Sequence, residues 1–276
     1  MSNFVDIFNN QIKINMSFKS IGDEDAAAIA EALKVNTTLT EIDLMYNSIG
    51  DNGAVAIAEA LKVNTTLKVI KLCNNYSIGD EGVAAIAEVL KVNTTLTKLA
   101  LRVIVAISND GVAAIAEALK VNTGLIEINL DDNSIGDEGI AIIAEALKVN
   151  TTLKRIFLKG NSIGYKGALA IAEALKMNRT LKWIYLKENS IGEYGTAEIA
   201  AVEQYRKDKF KEILLCLKHN NYDYSLYDAM SSYYKKNICD ETFIELDDYI
   251  NDYYDSDDEE AYNYGGLKSR SVTIKI

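Results

Sequence analysis

Proline is missing altogether from the 276 residues, histidine and tryptophan occur once each, and cysteine three times. A single histidine, His219, rules out a metal site built on paired imidazoles. Cys73, Cys216 and Cys239 leave one thiol unpaired in any disulfide scheme and lack metal-ligand spacing, which points to a reducing compartment. No apolar run approaches the roughly 18 residues needed to cross a bilayer. The opening Met1-Ser-Asn-Phe-Val-Asp also lacks the basic-then-apolar order of a secretory leader. A phosphate-cradling P-loop, a dinucleotide fingerprint and a Gly-x-Ser-x-Gly elbow are all absent. The expectation is a cytoplasmic, monomeric protein with no membrane contact, no cofactor, no metal and no catalytic residues.

What is present is periodic. Ile-Gly pairs recur at Ile21, Ile49, Ile78, Ile135, Ile163 and Ile191, with Ile107-Ser108 filling the gap. A second marker, the leucine at Leu39, Leu67, Leu96, Leu125, Leu153 and Leu181, recurs with the same steps of 28 or 29 residues. Each unit opens with apolar positions such as Ala54, Ile57, Ala58 and Leu61, one face of a helix. Asp51, Asp80, Asn109 and Asp137 stand where a helix N-cap is expected, and Lys-Val-Asn closes the helix with a cation in its last turn. A short strand of the form Leu39-x-x-Ile42-x-Leu44 follows, burying Ile42 and Leu44 and turning the intervening residues outward. An asparagine comes next, at Asn47, Asn75, Asn133, Asn161 and Asn189, and its buried amide is predicted to bond neighbouring backbone groups. The Asn-Thr-Thr triplets at Asn36, Asn64, Asn93 and Asn150 match a glycosylation acceptor but are read as polar loops, because nothing argues for a secretory route.

The pattern Leu-x-x-Ile/Leu-x-Leu-x-x-Asn-x-Ile-Gly-Asp-x-Gly, followed by Ala-Ile-Ala-Glu-Ala-Leu, resembles the ribonuclease-inhibitor subfamily of leucine-rich repeats over about residues 11 to 204. That family includes ribonuclease inhibitors, Ran GTPase-activating proteins and the sensor region of NOD-like receptors. The resemblance implies an α/β leucine-rich-repeat solenoid of about seven units, a horseshoe with parallel strands on its concave face and helices on its convex face. Departures mark special places. Lys19 and Met16 stand at the Asn and strand-leucine positions of the first unit, as in an N-terminal cap. In the unit opened by Leu96, Ile104 replaces the ladder Asn and Ser108 the Gly, with one residue inserted, which predicts a local bulge and a hinge. The pattern ends at Glu203, so a domain over 1–204 is expected, then a helical cap over 205–250 and an acidic, disordered tail over 251–276.

In this fold the outward strand residues line the concave surface, where protein partners bind. Arg155, Phe157, Lys159, Trp183, Tyr185 and Lys187 come from the last two strands and make one patch of three cations and three aromatics, the residue types that dominate binding hot spots. A Trp near the end of a solenoid also serves to cover the last unit, and both readings stand. Nucleic acid is disfavoured, since the net charge of −11 repels phosphate. Eleven acids and no Lys or Arg lie between Asp240 and Glu260, so the rest of the chain is formally neutral. Their lack of a Gly and of ligand spacing excludes an EF-hand, and their sign suggests a tail that folds back onto Arg155, Lys159 and Lys187. The function expected is non-enzymatic binding of a partner protein. The alternatives are a Ran-type GTPase-activating protein using Arg102 or Arg155 as an arginine finger, or a microbial or viral effector delivered into a host cell.

Overall fold

A computed structural model describes residues 4–104, 107–202, 205, 243–245 and 273–275; side chains of the last two segments are not among those described. The elements alternate: α1 (Phe4–Phe8), β1 (Lys13–Asn15), α2 (Asp23–Val35), β2 (Glu41–Asp43), α3 (Asp51–Leu61), β3 (Val69–Lys71), α4 (Asp80–Leu90), β4 (Lys98–Ala100), α5 (Asn109–Val121), β5 (Glu127–Asn129), α6 (Asp137–Val149), β6 (Arg155–Phe157), α7 (Tyr165–Met177) and β7 (Trp183–Tyr185). Residues 192–202 are again helical. Seven strands pair in parallel in chain order, each in register with the residue one repeat away. Strands stack about 4.8 Å apart and packed helices about 8–10 Å apart, so the strand layer forms the inner arc of a solenoid. Among the described residues no helix is long and apolar enough to cross a membrane.

The core is a set of columns. Ile42, Ile70, Leu99, Ile128, Ile156 and Ile184 form one and Leu44, Leu72, Leu101, Leu130, Leu158 and Leu186 another, all essentially without solvent contact. Alanines at Ala58, Ala87, Ala116, Ala144 and Ala172 let neighbouring helices approach closely. Fully burying one such aliphatic side chain contributes about 1.5–3 kcal/mol, and stacking several per unit offsets the entropy of ordering the chain.

Polar columns bind unit to unit. The Asn47 amide donates to the Leu44 and Met16 carbonyls, both at 2.9 Å, and its oxygen accepts from the Lys19 and Ile21 N–H groups, both at 3.0 Å. Asn75, Asn133, Asn161 and Asn189 repeat the scheme. Where Ile104 breaks the column, the Ile78 N–H has no side-chain oxygen to reach and donates to the Asn75 carbonyl instead, at 3.1 Å. The bulge expected here falls partly on residues 105–106, outside those described. A second column runs through the asparagines that follow the helices: Asn64, Asn93 and Asn150 of the Asn-Thr-Thr triplets, together with Asn122 and Asn178, are buried, each donating to a carbonyl of the preceding unit. Their amide nitrogens thus serve as donors that join unit to unit.

The N-cap reading needs correction. Gly22, Gly50, Gly79, Gly136 and Gly164 occupy the N-cap positions and make no side-chain cap bond, and in α2, α3, α4 and α6 an aspartate follows as the first helical residue. Its carboxylate reaches the next unit: Asp23 Oδ1 accepts from Gly50 N at 2.7 Å and Gly53 N at 3.0 Å, Asp51 does the same for Gly79 and Gly82, and Asp137 for Gly164 and Gly167. A Cβ on Gly53 would sit 2.7 Å from that oxygen, so the close approach requires glycine. The starts of α3, α4 and α7 are thus capped by the preceding unit, whereas α5, where Asn109 was expected to cap, is capped by Ser108, whose hydroxyl accepts from the Asp110 N–H at 3.1 Å.

Beyond the array, β8 (Phe243–Glu245) adds to β7 in parallel and β9 (Thr273–Lys275) adds to β8 antiparallel, making a nine-stranded sheet. These strands fall within the stretches expected as a helical cap and a disordered tail; the rest of both stretches lies outside the described residues.

Candidate functional site

Strand register brings the predicted patch together. Arg155 pairs with Trp183 and Phe157 with Tyr185 across β6 and β7, and Lys159 and Lys187 follow the same two strands. All six side chains are half-buried. The Phe157 and Tyr185 rings stack, with centroids 4.2 Å apart and planes 1° from parallel. The Arg155 guanidinium carbon lies 5.5 Å from the Trp183 ring centroid, a cation–π contact. A flat aromatic step and a guanidinium laid on an indole therefore share one surface.

The charges of this surface are largely paired. Arg155 Nε donates to Glu127, whose side chain is nearly buried, and Lys98 approaches the same carboxylate at 3.8 Å. Lys98, Glu127, Arg155 and Trp183 occupy one register position on four successive strands, so Glu127 holds the guanidinium from one side while the indole supports its face. Lys159 pairs with Glu188 at 3.3 Å, and its backbone N–H donates to Asp131 at 2.7 Å. The residues add up to an aromatic surface with locked cations more than to a bare positive patch, and apart from the backbone of 273–275 the tail expected to cover it lies outside the described residues. Glu127 and Lys98 were not singled out from the sequence; stepping back 28 or 29 residues from Trp183 finds them.

Elsewhere on the same face Lys71 lies between Glu41 at 3.4 Å and Asp43 at 3.3 Å, with Lys13 on Glu41 at 3.0 Å. Burial works against the Lys71 charge, but the two carboxylates outweigh it and hold its pKa above the usual value. Burial also opposes the Glu41 charge, and Lys13 and Lys71 prevail to hold its pKa low. Asp131 goes the other way: burial pushes its pKa up to about 6 despite the Lys159 N–H bond, with Asp132 adding to the rise. Burial raises the Cys73 thiol to about 12. Neither arginine considered as a finger extends unencumbered, since Arg102 Nε is bound to Asp132 at 2.7 Å and Arg155 to Glu127. Among the described residues no cluster of His, Cys, Asp and Glu is arranged to hold a metal ion.

Two family models match separate stretches: a TMOD/LMOD leucine-rich domain over residues 8–106, and a leucine-rich repeat over 121–144 and again over 149–172. The chain is a leucine-rich-repeat protein. Within this leucine-rich-repeat chain β6 lies inside the last matched stretch and β7 beyond it. Among solved structures it is similar to actin-binding site 2 of leiomodin-1, at 24% identity over 61% of this chain and 96% of that one, with a TM-score of 0.46. It is similar also to the leucine-rich repeat-containing protein LegL7 of Legionella pneumophila, at 14% identity over 70% of this chain and 62% of that one, with a TM-score of 0.44. A Bacteroides fragilis protein aligns at 12% identity over 72% and 67%, with a TM-score of 0.46. No curated protein matches the chain by sequence.

Proposed function

We propose that the protein is a non-enzymatic interaction module of the ribonuclease-inhibitor repeat type, working in the cytoplasm, that binds a partner protein on the outward face of β6 and β7. The observation that carries this reading is the pre-assembled pair of contacts, Phe157 on Tyr185 and Arg155 on Trp183. Side chains already stacked and salt-bridged lose little rotamer freedom when a partner covers them, so the area they bury is converted into affinity more fully. A groove lined by short strands of one rigid sheet also holds that geometry without rearrangement. The full helix in every 28- or 29-residue unit supports the repeat type.

The test is an affinity capture that compares wild type with Trp183→Ala/Tyr185→Ala, both verified to have the same circular dichroism and melting curve. A specific partner retained by wild type and lost by the double variant supports the site. The same partner retained equally by both moves the site to another surface. With the partner purified, losing two hot-spot side chains is expected to weaken binding by roughly 30-fold or more.

A further inference from the structure

Strands β1 to β7 run parallel and in register, so all of them start on the same side of the solenoid. Each of α2 to α7 ends one short turn before the next strand, so the helix ends share that side. Six segments make up this rim: 34–40, 62–68, 91–97, 120–126, 148–154 and 176–182. Together they hold ten Lys and Arg residues and no Asp or Glu. On the opposite rim the starts of α2 to α6, over 22–25, 50–53, 79–82, 108–111 and 136–139, hold nine acids and no cation. The array is therefore electrically polarised from one rim to the other.

Six of the ten cations have a local role. They stand in the last turn or at the C-cap of a helix, where a positive charge meets the helix's partial negative end. Each also pairs with a Glu three residues back, at exposed positions where such pairs hold only weakly. The other four, Lys68, Lys154, Arg179 and Lys182, make no ion pair among the described residues. Apolar side chains stand between these charges. The residue after each helix lysine is Val35, Val63, Val92, Val121, Val149 or Met177, between 56% and 66% exposed. With Ile12 and Ile126, just before β1 and β5, they account for eight of the ten exposed aliphatic side chains among the described residues, so apolar exposure is concentrated on the rim that has no acid. Packed helices lie about 8–10 Å apart, which makes the six a row of roughly 40–50 Å.

We propose that this rim docks on an anionic lipid bilayer, its cations meeting the headgroups and its aliphatic row dipping between them. Charge complementarity calls for an anionic occupant, and composition selects lipid. Val and Thr are under-represented in protein-binding hot spots, and Lys is depleted from protein interfaces. Single-stranded nucleic acid is held by stacking rings, and the six segments contain no aromatic residue. Aliphatic side chains set among lysines are what a protein lying in a membrane interface presents to it. The lack of a spanning helix, from which no membrane contact was expected, does not bear on attachment of this kind. Docked this way, the acidic rim faces away from the bilayer. The β6–β7 patch, whose side chains point across the strands and not along them, remains uncovered.

Flotation of the full chain with lipid vesicles tests this. Binding is expected to vesicles of phosphatidylcholine mixed with phosphatidylserine and not to phosphatidylcholine alone, and it should fall as salt screens the charges. Lys68→Glu/Lys154→Glu/Arg179→Glu changes three exposed side chains and is expected to melt like wild type. It should bind the mixed vesicles roughly 100-fold more weakly or worse, since each cation near the surface contributes about fivefold. Val63→Gln/Val121→Gln keeps every charge and should be released at lower salt than wild type. Lys19→Glu/Lys166→Glu removes two exposed cations from the opposite rim and should bind like wild type. Failure of wild type to bind the mixed vesicles at low salt overturns the proposal, as does wild-type binding by the triple variant. Equal loss in the Lys19/Lys166 variant would also overturn it, by reducing the attraction to net charge. Retention of wild type on heparin but not on vesicles would assign the rim to another polyanion and overturn it as well.

Discussion

Asn133 is 1% exposed and has both ends of its amide in use, donating to the Leu101 carbonyl at 2.8 Å and accepting from the Ile104 N–H at 2.9 Å. Replacing it with alanine strands a buried donor and a buried acceptor, each costing about 1–3 kcal/mol. Asn133→Ala is therefore expected to lower unfolding stability by about 2–4 kcal/mol, read as a lower denaturant midpoint at unchanged slope. Asp131 makes a prediction of opposite character. Its folded pKa of about 6 lies above that of an unfolded aspartate, so the folded state binds the extra proton between roughly pH 4 and 6. Its ionisation thus subtracts stability as pH rises through that window, by up to about 3 kcal/mol. Asp131→Asn should flatten the stability profile there relative to wild type; an unchanged difference between pH 4 and 7 would show that burial does not govern the group. These residues were only half legible. The asparagine column is announced by spacing, but that Asp131 is far more buried than its neighbour Asp132 follows from the twist of one turn, which no periodicity encodes.

At the scale of the element, helices and strands follow from apolar spacing, and the sequence places them well because every unit repeats the same test of the pattern. The caps do not follow, since a local motif carries no information about which helix a carboxylate reaches. Asp51 stands where a cap for α3 is expected and instead serves α4. Asp51→Ala is expected to cost about 1–2 kcal/mol, and hydrogen exchange locates the loss. Faster exchange at Gly79 and Gly82, with the first turn of α3 unchanged, is the outcome this structure requires. Faster exchange confined to α3 would restore the ordinary capping arrangement. Tyr165, at the aspartate position of α7, has no carboxylate to offer the helix over 192–202, and Gly192 there adopts a φ of 71° unlike the earlier N-cap glycines. The aspartate coupling thus stops one unit before the repeat pattern ends, while Asn189 still accepts from the Ile163 N–H at 3.0 Å.

For the whole molecule, strength is distributed along one dimension: each unit leans on the next through two asparagine columns, the aspartate caps and the aliphatic stacks. The proposed site is a departure from that regularity on the strand face, the aromatic content of β6 and β7. Which six residues meet there was readable from the repeat, because register fixes neighbours. How they meet was not, since the Glu127 clamp on Arg155 depends on a burial that emerges only when the units are stacked. Trp183 is the sole tryptophan of the chain, so its emission reports this surface alone. The most direct measurement is Trp183 fluorescence and acrylamide quenching while a captured partner, grown with non-emitting 4-fluorotryptophan, is titrated in. Binding through β6 and β7 predicts a blue-shifted emission and protection from quencher that saturate with complex formation. A complex that forms, by sedimentation, while Trp183 stays as accessible as in the unbound protein would contradict the account.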